Sequence, residues 1–189
     1  MPLQLSPSAL PDDVREKIAK RANDVVLDLL ALSSVAHKAH INVRGENFGP
    51  LHDLFASVYG AADEQADVLA EFAAMLGQPV AFDVFDVAAG ATKGIGPCPS
   101  VHDCETLCRT VFDATRVMLG ECNAAADEIR DLGSRDGEQL LIDVSIAFHK
   151  LGWKNAAYMF EEPGEAPSRP GATMGREPSP PRTPGAPAR

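Results

Sequence analysis

Residues 36–76 read AHKAHINVRGENFGPLHDLFASVYGAADEQADVLAEFAAML, and the fold turns on them. His37 and His40 close one helical pattern, which the polar stretch Arg44-Gly45-Glu46-Asn47 then breaks. Beyond it, Pro50 sits at a helix start, where a missing N–H costs nothing. Leu51, Leu54, Phe55, Val58, Ala62, Leu69, Phe72 and Met75 follow at helical spacing and predict a second helix from about 49 to 76. Gly77-Gln78-Pro79 stops it. So short a turn between two long helices predicts an antiparallel pair.

Toward the N-terminus, Val14, Ile18, Ala22, Val25, Leu29, Leu32, Ala36 and Ala39 form an apolar stripe. It predicts a first helix starting near Pro11, with Asp12 and Asp13 complementing the positive end of its dipole. Toward the C-terminus, residues 80–99 read as a long connection rich in Gly and Ala, with a short helix around 82–88. A third helix is predicted over 100–132, with Ser100 and Asp103 as capping candidates, and a fourth over 136–160. The expectation is an all-α four-helix bundle with a long crossover between helices two and three. Residues 1–10 read as a flexible segment and residues 11–162 as the bundle. Residues 163–189 hold eight of the fifteen prolines and almost nothing large and apolar, which predicts a disordered Pro/Gly/Arg tail.

The 189 residues are 45% hydrophobic and only 6% aromatic, enough for one core and more suited to helices than to a sandwich. Lys+Arg 17 against Asp+Glu 27 gives a net charge of -10, which disfavours polyphosphate partners and favours cations. The apolar runs are too short to cross a bilayer, and Met1–Leu10 lacks the basic and apolar regions of a secretory signal. A soluble, cytoplasmic protein without membrane partners is expected. Cys98, His102, Cys104 and Cys108 are spaced Cys-x3-His-x-Cys-x3-Cys, unlike the tight knuckles of zinc sites, so reduced, idle thiols are expected there and at Cys122.

The residues that can carry chemistry are His40, His52, Asp67 and Glu71, with His37 nearby. Asp67 and Glu71 are i, i+4 and share a helix face. The turn at Gly45 and Pro50 can bring His40 and His52 together. His52 and Asp67, however, are 15 residues apart on one helix, or ~22 Å along its axis. Side chains holding one metal ion cannot span that gap. If the four share a metal, two chains must supply it, through a two-fold contact that pairs the second helix with its antiparallel mate and repeats the site twice. Two imidazoles and two carboxylates with room for water suit Fe(II) that must also meet an oxidant. His37 reads either as an additional ligand or as a helix-end imidazole near the negative end of the dipole.

The stretch Ala39–Phe48, then Leu51-His52 and Phe55, then Asp67-x3-Glu71, resembles the signature of the Dps mini-ferritins (DNA-binding proteins from starved cells), in the ferritin-like superfamily. The separations of 12, 15 and 4 residues between the four site positions match that family, and Lys150-x2-Trp153 resembles its C-terminal motif. The resemblance implies a hollow dodecamer with iron sites at two-fold interfaces, His40 and His52 from one subunit and Asp67 and Glu71 from its mate. It implies a ferroxidase that oxidises Fe(II) with hydrogen peroxide or dioxygen, stores ferric mineral and so protects against oxidative damage.

This chain departs from the family pattern in two places. Ile41 stands where a tryptophan is usual, and Ala56 where many members carry an Asp that helps hold a second iron. Acidic residues at 131, 136 and 143 are candidates for an iron pore, and the -12 carried by residues 1–162 would draw Fe(II) inward. Met75, Met118 and Met159 lack a haem-binding context, and no haem is expected. The family name also raises an alternative, a DNA-compacting protein with weak or lost iron chemistry. It is disfavoured because residues 1–10 hold no Lys or Arg and the tail offers only Arg169, Arg176, Arg182 and Arg189.

Overall fold

The computed structural model describes residues 8–91 and 94–159. The N-terminal segment up to 7 and the tail assigned to 163–189, with the DNA contacts considered for it, lie outside the described residues. Five helices appear in order: α1 (Asp12–Asn42), α2 (Phe48–Met75), α3 (Val84–Gly90), α4 (Cys104–Asp131) and α5 (Arg135–Ala156). No strand occurs among the described residues. The chain is all-α with the ferritin-like arrangement of four long helices. α1 packs along α2, α4 along α5, and the two hairpins close through α1 against α4 and α2 against α5. The crossover carries α3, which packs against α1.

Apolar stripes explain this assembly. Ile18, Leu29 and Leu32 of α1 meet Leu51, Phe55 and Leu69 of α2, Leu107, Met118 and Ile129 of α4, and Leu141 and Phe148 of α5 in one core, all essentially inaccessible. Each such side chain contributes roughly 1.5–3 kcal/mol on burial. The ends are set locally. Asp103, not Ser100, caps α4, accepting from the Thr106 amide at 2.7 Å. The helix therefore starts at Cys104, four residues later than the pattern suggested. Thr106, through its side chain first and its amide second, also holds the Asp103 carboxyl below the usual carboxylate range. Ser134 caps α5 through the Gly137 amide at 3.2 Å, a contact worth about 1 kcal/mol.

Two features at one end of the bundle hold the α1–α2 turn in place. Gly45 has φ of +109°, a left-handed conformation that a side chain would strain. The turn is then tied to the start of α4: Arg44 N–H donates to the His102 carbonyl at 3.1 Å, and the His102 ring Nδ1–H to the Asn42 carbonyl at 2.7 Å. The Cys104 thiol donates to the Arg44 carbonyl at 2.9 Å, and Lys38 Nζ to the Cys98 carbonyl at 2.6 Å. The crossover is thus stitched to the end of α1 that carries the histidines.

Candidate metal centre

The end of α1 and the start of α2 bring His40 and His52 into face-to-face contact, ring centroids 3.6 Å apart and planes 24° from parallel. Their anchoring is reciprocal. His40 Nδ1 lies 2.8 Å from the His52 carbonyl, and His52 Nδ1 lies 3.0 Å from the His40 carbonyl. The His40 carbonyl lies in the last turn of α1, where helix carbonyls lack intrahelical partners. A carbonyl only accepts, so both Nδ1 atoms carry their protons. In the neutral imidazole the lone pair then resides on Nε2, the arrangement a histidine adopts when its outer nitrogen serves a metal. Both rings are partly accessible.

Asp67 and Glu71 lie further along α2, exposed and stacked one turn apart, and neither has a partner among the described residues. They are not brought to the histidines. Among the described residues no group of three or more His, Cys, Asp or Glu side chains could hold a metal ion within one chain. The helical separation between His52 and Asp67 therefore persists in the fold. Within one chain His40 with His52 and Asp67 with Glu71 thus stand as two separate pairs.

Between these two pairs α2 carries the half-buried Ala56 and the exposed Gly60 and Asp63. Gly60 is exposed, and a Cβ added there would meet nothing within 4 Å. A glycine inside a helix costs roughly 0.5–1 kcal/mol relative to alanine, and nothing in this chain's own packing requires it.

His37 stacks on Tyr59 with centroids 4.4 Å apart, and Tyr59 meets His40 edge-on at 5.4 Å. Tyr59 escaped the sequence reading; its signal was its position seven residues after His52, on the same side of α2. His37 lies 6.1 Å from His40 between ring centroids, close enough to belong to the same cluster.

The cysteines gather no metal site. Cys98, Cys108 and Cys122 are buried and reduced. Burial, reinforced by Cys104 and Asp103, pushes the Cys108 thiol up to about 12. Burial also raises Cys98, against the opposing pull of Lys38, and Cys122. Thiolate is the ligating and nucleophilic form, so these groups are inert near neutrality. Of the acidic residues considered for a pore, Asp131 pairs with Arg130 at 3.5 Å and Asp143 accepts from Gln139 at 2.9 Å. Asp136 lines a surface pocket with Phe72 and Met75.

Comparison with known proteins agrees with the fold. A family model described as a ferritin-like domain matches residues 19–159. General stress protein 20U of Bacillus subtilis is 23% identical over 145 residues, covering 76% of this chain and 98% of that protein. DpsC from Streptomyces coelicolor superposes with a TM-score of 0.78 at 28% identity, covering 84% of this chain and 92% of that one. Dps from Microbacterium arborescens, in a high-iron form, gives 0.73 at 24% identity over 82% and 98%. A Dps from Vibrio cholerae, described as a member of a superfamily of ferritin-like diiron-carboxylate proteins, gives 0.75 at 18% identity over 84% and 98%.

Proposed function

Because the chain belongs to the ferritin-like domain family and has the architecture of a Dps-type mini-ferritin, we propose that it oxidises Fe(II) at sites shared between subunits and stores the ferric product. The oxidant is hydrogen peroxide or dioxygen, and consuming it protects the cell from iron-driven damage. The observation that carries this reading is the reciprocally anchored His40–His52 pair, whose two Nε2 atoms are left for a metal. Fe(II) is the substrate, held by His40 and His52 of one subunit and by Asp67 and Glu71 of its mate. Imidazole with carboxylate is a donor set that suits this ion and tolerates its change of charge on oxidation.

The pairing has a definite register. Placing His52 opposite the mate's Asp67 in an antiparallel contact makes facing residue numbers sum to 119, so the two-fold axis crosses α2 between Tyr59 and Gly60. The bare backbone at Gly60 then lies where two copies of α2 approach most closely. Both half-sites of each chain are completed by the same mate, giving two equivalent iron sites per interface. Such pairs would close into a dodecameric shell, a reading that the family likeness supports.

Adding Fe(II) and peroxide to the purified protein should produce ferric absorbance that grows with iron loading and stays soluble with the oligomer. Fe(II) oxidising no faster than in protein-free buffer, with no iron retained on gel filtration, would reject the reading.

A further inference from the structure

On α2, His52, Ala56, Gly60, Asp63, Asp67 and Glu71 recur at steps of three and four residues and so form one stripe. Ligating side chains stand toward both of its ends and small residues near its middle. One carboxylate on the stripe, Asp63, has no part in the proposed iron site. It is exposed, and among the described residues it makes no hydrogen bond or ion pair.

Charge sets this helix apart from its neighbours. α2 carries five carboxylates and no lysine or arginine. Acids on the adjoining helices are matched within their own helix: Asp13 by Lys17 and Asp24 by Lys20 on α1, Glu105 by Arg109 and Asp127 by Arg130 on α4. Asp63, Asp67 and Glu71 instead stack on successive turns, a like-charge arrangement that weakens a helix. In a two-fold contact they also leave bulk water, and their repulsion grows. One ferrous ion brings two positive charges to these three carboxylates, which leaves negative charge for another cation to offset.

The register gives Asp63 its place. The antiparallel alignment that sets His52 against the mate's Asp67 also sets Ala56 against the mate's Asp63, each one turn nearer the axis. Asp63 therefore comes to the mate's histidines and stays ~16 Å along the helix from His52 of its own chain. What faces it is the methyl of Ala56, so no second acid opposes it and space is left beside the iron. Carboxylate oxygen and water are donors that suit a divalent ion there.

We propose that Asp63 is a metal ligand across this contact: facing Ala56 of the mate, it holds a second ferrous ion beside the one bound by His40, His52, Asp67 and Glu71. Each site then draws three carboxylates from one subunit and two imidazoles from the other. The inference rests on the iron-site reading above.

The test is calorimetric titration of the full-length oligomer with Co(II), a redox-silent probe, with light scattering to confirm the mass of each variant. Wild type should bind two Co(II) per subunit. Asp63→Asn keeps the shape without the charge and should bind one. Glu64→Gln removes the same charge from the next residue, off the stripe, and should still bind two. Asp63→Ala should bind one, and adding Ala56→Asp, which moves the carboxylate to the facing side of the same contact, should restore the second. One Co(II) in wild type, two or none in Asp63→Asn, or no restoration by Ala56→Asp would overturn the assignment. His40→Ala with His52→Ala separates the two levels. If that double variant loses Co(II) while wild type holds a single ion, only the role of Asp63 fails. If it binds Co(II) like wild type, the histidine site itself is misplaced and the assignment of Asp63 falls with it.

Discussion

Replacing His40 and His52 together by alanine should lower the rate of Fe(II) oxidation at least a hundredfold while leaving the mass of the oligomer unchanged. Both rings are partly accessible and belong to no core layer; the apolar contacts of α1 and α2 run through Ala36, Ala39, Leu51 and Phe55 instead. The loss is chemical because the two Nε2 atoms are the only nitrogen donors of the proposed ligand set. Carboxylates alone hold ferrous ion weakly beside a site that includes imidazole. The single variants divide the ligand set. Losing either ring removes one nitrogen ligand but leaves the backbone carbonyl that anchors the other ring, so each single change should cost less than the pair. The measurement is the initial rate of ferric absorbance, with mass by light scattering on the same samples. Collapse of the oligomer in the double variant would mean that the rings serve packing.

Gly60→Leu carries the second large effect. In the isolated chain the substitution is benign: a Cβ there meets nothing, and leucine is a better helix former than glycine by close to 1 kcal/mol. A protomer that never paired through this face should therefore gain stability. At the proposed axis, however, two leucines from the two copies would occupy the same space, and inserting bulk into a packed contact costs typically 1–3 kcal/mol for each side chain. Two-fold pairing should weaken by roughly thirtyfold to twenty-thousandfold, taking the iron sites with it, while the monomer's helicity and melting temperature hold or rise. Circular dichroism with analytical ultracentrifugation checks both halves. An intact, fully active oligomer would place the axis elsewhere along α2.

Much of the fold is legible in the sequence. The apolar stripe of α1, the Gly45 turn and the stripe of α2 predicted an antiparallel hairpin, and α1 and α2 end within about two residues of the expected places. The separation of His52 from Asp67 is likewise a property of helix rise, and the fold does nothing to shorten it. What the linear pattern could not carry was tertiary. The start of α4 is decided by the Asp103 side chain reaching the Thr106 amide, which ended the capping choice against Ser100. The stitching of Cys98, His102 and Cys104 to the end of α1 joins residues 60 apart in sequence, and it explains that cluster better than any metal does. The carbonyl anchors of the two histidines and the contact of Tyr59 with His37 and His40 depend on how α1 lies on α2, which residue types alone do not specify.

Each proposed iron site is divided between two copies of the chain, and co-expression of two damaged subunits tests that division most directly. One subunit carries His40→Ala and His52→Ala, the other Asp67→Ala and Glu71→Ala, and each alone should be inactive. In a mixed pair the intact histidines of one copy face the intact carboxylates of the other, so one of its two sites is whole while the second lacks all four ligands. Random mixing in equal amounts should restore about a quarter of wild-type sites, since about half of all interfaces are mixed and each contributes one site of two. Recovery near that fraction is the expected result. Mixed oligomers as inactive as either parent would contradict it, because sites built within single chains cannot complement one another.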